Sequence, residues 1–220
     1  MRLLWLLLIP LVSFAHNFEG LKIHQISFSP RIFYIENFLP DETCDQLRRL
    51  SRPHLERSFV VPSTGGAKML HPGRTSMSAF LVGPARTPFV TDLEERMAEV
   101  VGMPTDHGEA IQVARYRRGD EYQPHYDTFN PEEEGGQIAL KNGGQRLITF
   151  MVYLTDVRKG GETGFPFAGI KIPPKKGDAL LFYPCLDDHS IDMMALHAGC
   201  PVIEGEKWIA TRWFRERPFH

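Results

Sequence analysis

The sequence is poor in cysteine, which excludes a fold held together by disulfide bonds. Only three cysteines occur among 220 residues, an odd number that is too small for a disulfide scaffold. A hydrophobic core must therefore stabilise the protein. Cys185 and Cys200 flank a polar stretch and could pair in an oxidising compartment, leaving Cys44 unpaired, but the sequence does not give the distance between their Cβ atoms.

An excess of one charge sign is also absent. The 25 Lys and Arg residues nearly balance the 27 Asp and Glu residues, and the two signs are interspersed along the chain. Such a chain lacks the large field of one sign that holds nucleic acid or an anionic membrane surface. We therefore expect no nucleic-acid partner, and the charge balance by itself indicates no other.

The apolar run near the N-terminus is too short to span a bilayer, which takes about 20 residues. It extends from Leu3 through Val12 after the basic Arg2 and is followed by small residues up to Ala15, as in a signal peptide. We predict a signal peptide at residues 1–15, the alternative being a short uncleaved anchor. Both predict the secretory pathway, meaning the endoplasmic reticulum or Golgi lumen or secretion, with membrane attachment only if the anchor is retained.

The length of the chain, 220 residues, fits one domain with a full core better than two domains. Two segments have helical spacing of apolar residues. The first begins at Pro40-Asp41 with an Asp cap and continues to Leu50. In the second, Thr91-Asp92-Leu93-Glu94 has the form of a capping box, and Gly102 stands in the usual stop position.

Beyond Ala110 the pattern changes to short β-rich runs separated by turn residues. We interpret Pro62–Gly73 as a mobile loop and the acidic Pro131–Gly136 as a solvated loop. Many short strands at this spacing favour a β-sandwich or jelly roll, so we predict a mainly β fold of the α+β type with supporting N-terminal helices. The predicted strands are Ile111–Arg117, Leu147–Thr155, Gly169–Ile172, Ala179–Tyr183 and Trp208–Phe214.

Three polar residues in the β-rich region form a candidate metal site. His125 and Asp127 are two residues apart, so on an extended chain they point to the same face. Alone, this pair is more often an exposed polar pair, and a lone His197 is more often a core histidine. Together, two imidazoles and one carboxylate are the ligands of non-haem iron(II) oxygenases, with zinc as the chemical competitor.

Lys207 is the candidate partner of an anionic ligand. It begins the segment Lys207–Trp213, in which strand alternation places Lys207, Ile209, Thr211 and Trp213 on one face. A lysine on an inward face needs an anion, because a buried unpaired ammonium group is costly. The alternative is a lysine at a strand end whose ammonium group reaches water.

In their order along the chain, these motifs resemble the catalytic domain of the procollagen-type prolyl 4-hydroxylases. The resemblance covers residues 33–214, and from it we predict a dioxygenase domain at residues 33–216. It implies a double-stranded β-helix, the jelly-roll core of this family. The motifs that carry it are Arg74-Thr75-Ser76, Gln112–Tyr116, Tyr122–Asp127, Gly160–Thr163, Lys175–Leu180 and Leu196–Trp208.

The resemblance also implies an activity and a set of roles. It implies hydroxylation of peptidyl-proline to 4-hydroxyproline, with O2 and 2-oxoglutarate as cosubstrates, succinate and CO2 as products, and ascorbate to keep the iron reduced. The partner is then a proline-containing polypeptide. The implied residues are His125, Asp127 and His197 for iron(II), Tyr116, Thr163, Lys207 and Trp213 for 2-oxoglutarate, Tyr122 and Arg146 in catalysis, and Arg74, Ser76, Tyr122 and Arg146 for the substrate.

One position departs from the family pattern. Many members have a histidine two residues after the strand tryptophan, near the iron-chelating end of the cosubstrate, where this chain has Arg215. Arginine keeps a positive charge but cannot transfer a proton, so the departure affects details of cosubstrate handling more than the reaction class. Two alternatives stay open: an oxygenase that acts on another residue or a small molecule, and a catalytically silent β-barrel that binds peptides or sugars.

Overall fold

A computed structural model describes residues 20–66 and 69–220. The predicted signal peptide or anchor at residues 1–15 lies outside the described residues. The strands, in chain order, are β1 (Lys22–Phe28), β2 (Arg31–Glu36), β3 (Glu56–Arg57), β4 (Phe59–Val60), β5 (Met69–Leu70), β6 (Met77–Phe80), β7 (Gln112–Tyr116), β8 (Tyr122–His125), β9 (Arg146–Tyr153), β10 (Lys159–Gly160), β11 (Thr163–Phe165), β12 (Ile170–Ile172), β13 (Ala179–Phe182), β14 (His197–Gly199), β15 (Val202–Glu204) and β16 (Lys207–Arg215).

Two antiparallel sheets form the core of the fold. The main sheet has eight strands in the order β1-β2-β13-β9-β16-β7-β6-β3, and the second has four in the order β12-β11-β14-β8. The pairs β10–β15 and β4–β5 form separate short ladders. From β7 onward the chain crosses repeatedly between the two large sheets, and the predicted jelly-roll fold is confirmed. Of the five predicted strand segments, four lie in the main sheet and one lies in the second.

The helices are α1 (Asp41–Ser51), α2 (Pro88–Val101) and α3 (Glu134–Lys141). Helices α1 and α2 bury apolar residues such as Leu47 and Met97. These residues lie in one cluster with residues on the facing side of the main sheet, such as Phe150 and Trp208. This layer covers one face of the main sheet. Burying such apolar area is the main favourable term in folding, so the helix-covered layer is the principal stabilising core.

A second apolar cluster lies between the two sheets. It includes Met151 and Leu180 from the main sheet and Phe165 and Ile172 from the second sheet. The second sheet therefore faces the side of the main sheet that the helices leave free. Side chains from both sheets line the space between them, and this space holds the candidate site.

The predicted starts of both helices need correction. The cap of α1 is Pro40, with Asp41 already in the first turn and no side-chain cap bond. Helix α2 begins at Pro88 after Thr87, so the predicted capping box at residues 91–94 is wrong. Proline favours the first helical turn because it lacks an N–H and its φ is already helical. Gly102 ends α2 with φ 66°, as predicted.

The two predicted loops also contain regular structure. The segment Pro62–Gly73 includes β5, which pairs with β4. The acidic stretch Pro131–Gly136 runs into α3, so its interpretation as a loop is wrong from residue 134 onward. Gly135 and Gly136 lower helix propensity, but a Cβ at these positions would lie 1.9 Å from the Pro62 oxygen and 1.8 Å from the Asn130 oxygen. Close packing therefore requires glycine in this helix.

Two smaller expectations concern cysteines and membranes. Cys44, Cys185 and Cys200 are all free thiols in this structure, so the possible bond between Cys185 and Cys200 is not formed. The Cys185 thiol instead lies 3.3 Å from the Arg146 carbonyl oxygen. Within residues 20–66 and 69–220, none of the helices has the length and apolar content that a bilayer crossing requires.

Candidate active site

Strand pairing brings the three candidate metal ligands together. Strands β8 and β14 are antiparallel neighbours in the second sheet, and the Cα of His197 is the direct partner of the Cα of His125. Asp127 follows two residues after His125, just beyond the end of β8. Residues 72 positions apart in the chain therefore become neighbours because their strands pair.

The ligand atoms face one another at distances suited to a shared ion. Nε2 of His125 lies 3.8 Å from Oδ1 of Asp127, and Nε2 of His197 lies 3.6 Å from Oδ2. One ligand atom from each residue can be chosen so that all lie within 4.8 Å of one another. The predicted ligands thus form one compact cluster, with Asp127 and His197 buried and His125 half-buried.

Hydrogen bonds orient these ligands. Nδ1 of His125 donates to the Gln123 carbonyl oxygen at 2.8 Å, and Nδ1 of His197 donates to the Ala195 carbonyl oxygen at 3.1 Å. Because a carbonyl only accepts, the proton lies on Nδ1 and the Nε2 lone pairs are free for a metal. The Thr149 hydroxyl donates to Oδ2 of Asp127 at 2.7 Å. Thr149 is a supporting residue that the sequence analysis missed, because its partner lies on a distant segment.

The electrostatics keep His125 and Asp127 in their metal-binding protonation states. Burial lowers the pKa of His125, and the neighbouring His197 lowers it further. Burial alone would raise the pKa of Asp127, but the two imidazoles and the Arg146 guanidinium outweigh this and lower it. At neutral pH the cluster therefore contains a neutral His125 and an ionised Asp127, as metal ligation requires.

Lys207 lies in the same cavity, on the main sheet. It is 2 % exposed, and its Cα pairs with that of Tyr116 on β7. Its Nζ lies 3.4 Å from the Thr163 hydroxyl and 5.7 Å from the ring centroids of Tyr116 and Tyr153. Burial lowers its pKa to about 8. Cys200 and Glu162 oppose this lowering without cancelling it. Among the described residues no carboxylate forms an ion pair with this Nζ, so the ammonium group has no direct counterion.

Tyr122 and Arg74 form a stack beside the metal cluster. The Tyr122 ring lies parallel to the His125 ring, with centroids 3.5 Å apart, and the Arg74 guanidinium lies 4.6 Å from the Tyr122 centroid. Burial raises the pKa of Tyr122 to about 12. Arg74 is fixed by bonds to the Phe59 carbonyl and to the Gln112 side chain. Both Tyr122 and Arg74 line the cavity, where the resemblance places substrate.

Ser76 lies elsewhere. It is fully buried, its hydroxyl is 2.9 Å from that of Ser58, and it also hydrogen-bonds to Tyr116. It does not line the cavity. In this structure Ser76 supports Tyr116, and its contact with substrate stays a prediction.

Arg146 and Trp213 complete the wall near Asp127. The guanidinium carbon of Arg146 lies 4.0 Å from the Trp213 ring centroid. Arg146 is held by Glu109 through a two-point ion pair at 2.6 and 2.8 Å. The Trp213 Nε1 is buried without a partner among the described residues, so a donor is free in the cavity wall. Glu109 was missed by the sequence analysis, because no motif marks a single carboxylate.

The cavity that contains these groups has a volume of about 930 Å³. The metal-ligand cluster, Lys207 and the predicted residues Tyr116, Thr163, Trp213, Tyr122, Arg146 and Arg74 all line it. Three donors suited to a divalent metal and an unneutralised ammonium group thus open onto one space. This arrangement can bind a metal and an anionic ligand together.

Comparisons with known proteins agree with this geometry. Residues 111–215 match the family described as the 2OG-Fe(II) oxygenase superfamily. Probable prolyl 4-hydroxylase 3 of Arabidopsis thaliana is 40% identical over 207 residues, covering 86% of this chain and 70% of that protein. Prolyl 4-hydroxylase 1 of Arabidopsis thaliana is 39% identical over 212 residues, covering 90% and 73%.

A solved structure of a prolyl hydroxylase is also similar to this chain. The viral collagen prolyl hydroxylase vCPH from Paramecium Bursaria Chlorella virus-1, in its 2OG complex, superposes with a TM-score of 0.64 at 29% identity, covering 84% of this chain and 94% of that chain. This chain belongs to the prolyl 4-hydroxylase family of the 2OG-Fe(II) oxygenase superfamily.

Proposed function

We propose that this protein hydroxylates proline residues in polypeptides to 4-hydroxyproline, consuming O2 and 2-oxoglutarate and releasing succinate and CO2. The observation that carries this proposal is the joint presence, in one cavity, of the metal-ligand cluster and the unneutralised Lys207. A divalent metal beside an isolated buried cation calls for an anionic cosubstrate that can reach both.

The donor set fits iron(II). His125, Asp127 and His197 would hold the ion through two neutral imidazoles and one carboxylate, a combination that leaves other metal positions open. When bound there, iron(II) supplies the redox chemistry that couples decarboxylation of 2-oxoglutarate to hydroxylation of a C–H bond. Thr149 and the Gln123 and Ala195 carbonyls keep the ligands in their binding orientation. Zinc accepts the same ligands, so the functional metal is part of the test.

Lys207 would bind the carboxylate of 2-oxoglutarate that is far from the metal. A dianion suits this position because one end can neutralise the buried ammonium group while the other reaches the ligand cluster. The Thr163 oxygen accepts from Lys207 Nζ at 3.4 Å, so its own O–H can be donated to the same carboxylate. Tyr116 lines the cavity beside it, and the buried Tyr153 ring lies 5.7 Å from Nζ.

The outer part of the cavity suits a polypeptide. Its volume lies near the upper end of the roughly 300–1,000 Å³ of ordinary ligand pockets, which leaves room beyond the cosubstrate. Tyr122, Arg146 and Arg74 line the inner wall, and the exposed apolar residues Phe59 and Ile138 lie at the rim. This surface suits an uncharged chain segment rich in proline, and the relatives named above carry the name prolyl hydroxylase.

The decisive experiment incubates the purified protein with iron(II), ascorbate, 2-oxoglutarate and a panel of proline-rich peptides. We expect peptides to gain about 16 Da, the mass of one oxygen atom inserted by this class of oxygenase, and we expect equal amounts of succinate. Fragment-ion spectra then assign the oxygen to proline.

His125→Ala should abolish both products. The matched control is Arg158→Ala, which should have normal activity because the Arg158 side chain is 80% exposed and does not line the cavity. Succinate formation without a peptide product would contradict peptidyl-proline as the substrate. Activity supported by zinc, with none by iron(II), would contradict the oxygenase reaction itself.

Two parts of the proposal concern conditions in the cell. We propose ascorbate as the reductant that maintains iron(II), and the lumen of the endoplasmic reticulum or Golgi, or the secreted fraction, as the location. The first is tested by omitting ascorbate during repeated turnover, which should cause activity to decline. The second is tested by mass spectrometry of the N-terminus, where loss of residues 1–15 is expected and an intact Met1 would contradict cleavage.

A further inference from the structure

Arg215, the position that departs from the family pattern, lies at the end of β16 and lines the cavity. It is 2 % exposed. Its guanidinium makes contacts on two sides. Nη1 donates to Oε1 of Glu109 at 3.1 Å, while Nη2 donates to the carbonyl oxygens of Ala139 and Asn142 at 2.7 and 2.5 Å.

The two carbonyls belong to the C-terminal end of α3. The last carbonyls of a helix have no partner within the helix, and a cationic side chain there satisfies them and interacts favourably with the helix dipole. Helix α3 in turn supports the β4–β5 segment, because Gly135 N donates to the Ser63 oxygen at 2.9 Å. Arg215 thus anchors the helix that supports one wall of the outer cavity.

On its other side, Arg215 shares a carboxylate with Arg146. Glu109 is 7% exposed and binds Arg146 at both oxygens, one of which also accepts from Arg215. The Arg146 guanidinium then reaches the Asp127 carbonyl oxygen at 3.4 Å. The contacts run without a gap from α3 through Arg215 and Glu109 to Arg146.

We propose that Arg215 is a positioning residue for the polypeptide subsite, acting through Glu109 on Arg146 and through α3 on the β4–β5 wall. This inference rests on the proposed function, because it refines the substrate half of the same cavity. It differs from a direct role at the cosubstrate, since Glu109 holds Nη1 of Arg215, the end of α3 takes both protons of Nη2, and Nε is buried without a partner among the described residues.

Histidine could not take this role. An imidazole has two ring nitrogens pointing in different directions, whereas the guanidinium serves a carboxylate and two carbonyls from one planar group. The arginine at this position therefore has its own set of partners in this chain. Arg215→His is the most informative substitution, because it introduces the residue common in the family and removes the contacts with Glu109, Ala139 and Asn142.

The test compares Arg215→His and Arg215→Lys with the wild type by measuring the KM for a proline-rich peptide and for 2-oxoglutarate separately. For Arg215→His we expect the peptide KM to rise by about tenfold, as when a supporting contact of a site is lost, with the KM for 2-oxoglutarate unchanged. Arg215→Lys, which keeps the charge and one donor direction, should recover part of the loss. A rise confined to the 2-oxoglutarate KM, or full activity of Arg215→His, would overturn the proposal.

A second measurement does not depend on turnover. In the metal-free protein, the shifts in Tm of Arg215→Gln and Arg146→Gln should not add in the double variant, since both residues share Glu109. Additive shifts would overturn the coupling even if the peptide is never hydroxylated. Failure of the wild type to hydroxylate any proline peptide, with non-additive Tm shifts, would instead count against the proposed function alone.

Discussion

Two of the three buried cations on strand β16, Lys207 and Arg212, point to opposite faces of the main sheet and differ in their partners. Arg212, on the helix-covered face, donates to the carbonyl oxygens of Glu109, Glu94 and Thr105. Lys207, on the cavity face, reaches only the Thr163 hydroxyl among the described residues. Burial lowers the pKa of both, to about 10 and about 8.

This difference distinguishes a buried cation that stabilises the fold from one that can bind a ligand. All nine residues of β16 are buried, so burial alone does not distinguish the core from the site. A charge whose donors are satisfied by backbone carbonyls is part of the folded framework. A charge without a counterion costs stability and persists where a ligand supplies the missing partner. The predictions below test this distinction on the two faces of the sheet.

The largest effect is expected at the metal cluster. Asp127→Asn keeps the volume of the side chain but removes the negative charge that faces both imidazoles. We expect activity to fall by more than the roughly 10–100-fold that follows loss of an outer partner of a metal ligand. The measurement is succinate formation at saturating cosubstrate, together with iron(II) bound per protein.

Thr149→Val is the matched comparison, since it removes only the hydrogen bond to Asp127. It should reduce activity by about 10–100-fold and leave iron bound at high metal concentration. A Thr149→Val effect as large as that of Asp127→Asn would contradict the distinction between ligand and supporting residue.

The next effect compares the two cations directly. Lys207→Met should raise the KM for 2-oxoglutarate by at least about 30-fold, because loss of one partner of a buried charge pair costs about 2 kcal/mol or more. Its Tm should not fall, since the cation that it removes has no counterion. Steady-state kinetics and thermal unfolding of the ligand-free protein measure the two quantities.

Arg212→Met should show the opposite pattern. It leaves the carbonyl oxygens of Glu109, Glu94 and Thr105 without their buried donor, at a cost of about 1–3 kcal/mol for each unsatisfied group. Its Tm should fall while the KM for 2-oxoglutarate of the folded fraction stays unchanged. If both variants showed the same changes in Tm and in the KM for 2-oxoglutarate, the proposed difference between the two faces would be contradicted.

The alternation of side chains in β16 could be predicted from sequence, because the period of a strand is geometric and needs no knowledge of distant segments. The same holds for His125 and Asp127, which are close in the chain. Glu109 could not be found in this way, since its importance depends on Arg146 and Arg215, which reach it only when β9 and β16 pair.

Helix boundaries failed for a related reason. Thr91 and Glu94 have the spacing of a capping box, but Glu94 is instead paired with Arg86 at 2.8 Å, and Pro88 begins the helix three residues earlier. Helix α3 was missed because the acidic stretch Pro131–Gly136 was interpreted as a solvated loop. The two glycines of this helix are explained by close contact with Pro62 and Asn130. Local patterns predict an element where local energies decide, and fail where tertiary packing overrides them.

A third prediction concerns the helix-covered core. Phe150 is fully buried and packs against Phe38 with ring centroids 4.9 Å apart. Phe150→Ala should lower the free energy of unfolding by about 3–5 kcal/mol, the usual cost of emptying an aromatic core position. Denaturant unfolding measures this change. The KM values of the folded protein should stay unchanged, and a shift in the KM for 2-oxoglutarate would show that the core face influences the cavity.

The smallest effect is the pH dependence that Lys207 imposes on stability. Its pKa falls from 10.5 to about 8 in the folded protein, so between these values the unfolded chain binds more protons and wild-type stability rises with pH. Lys207→Met lacks this contribution. At pH 7 the wild type should therefore be less stable than the variant by up to about 3 kcal/mol, and the gap should close as pH rises through 10.5. Other groups titrate equally in both proteins, so denaturant midpoints of the metal-free and cosubstrate-free proteins at several pH values isolate Lys207. A constant gap would mean that its ammonium group has a counterion, and the contrast with Arg212 would fail.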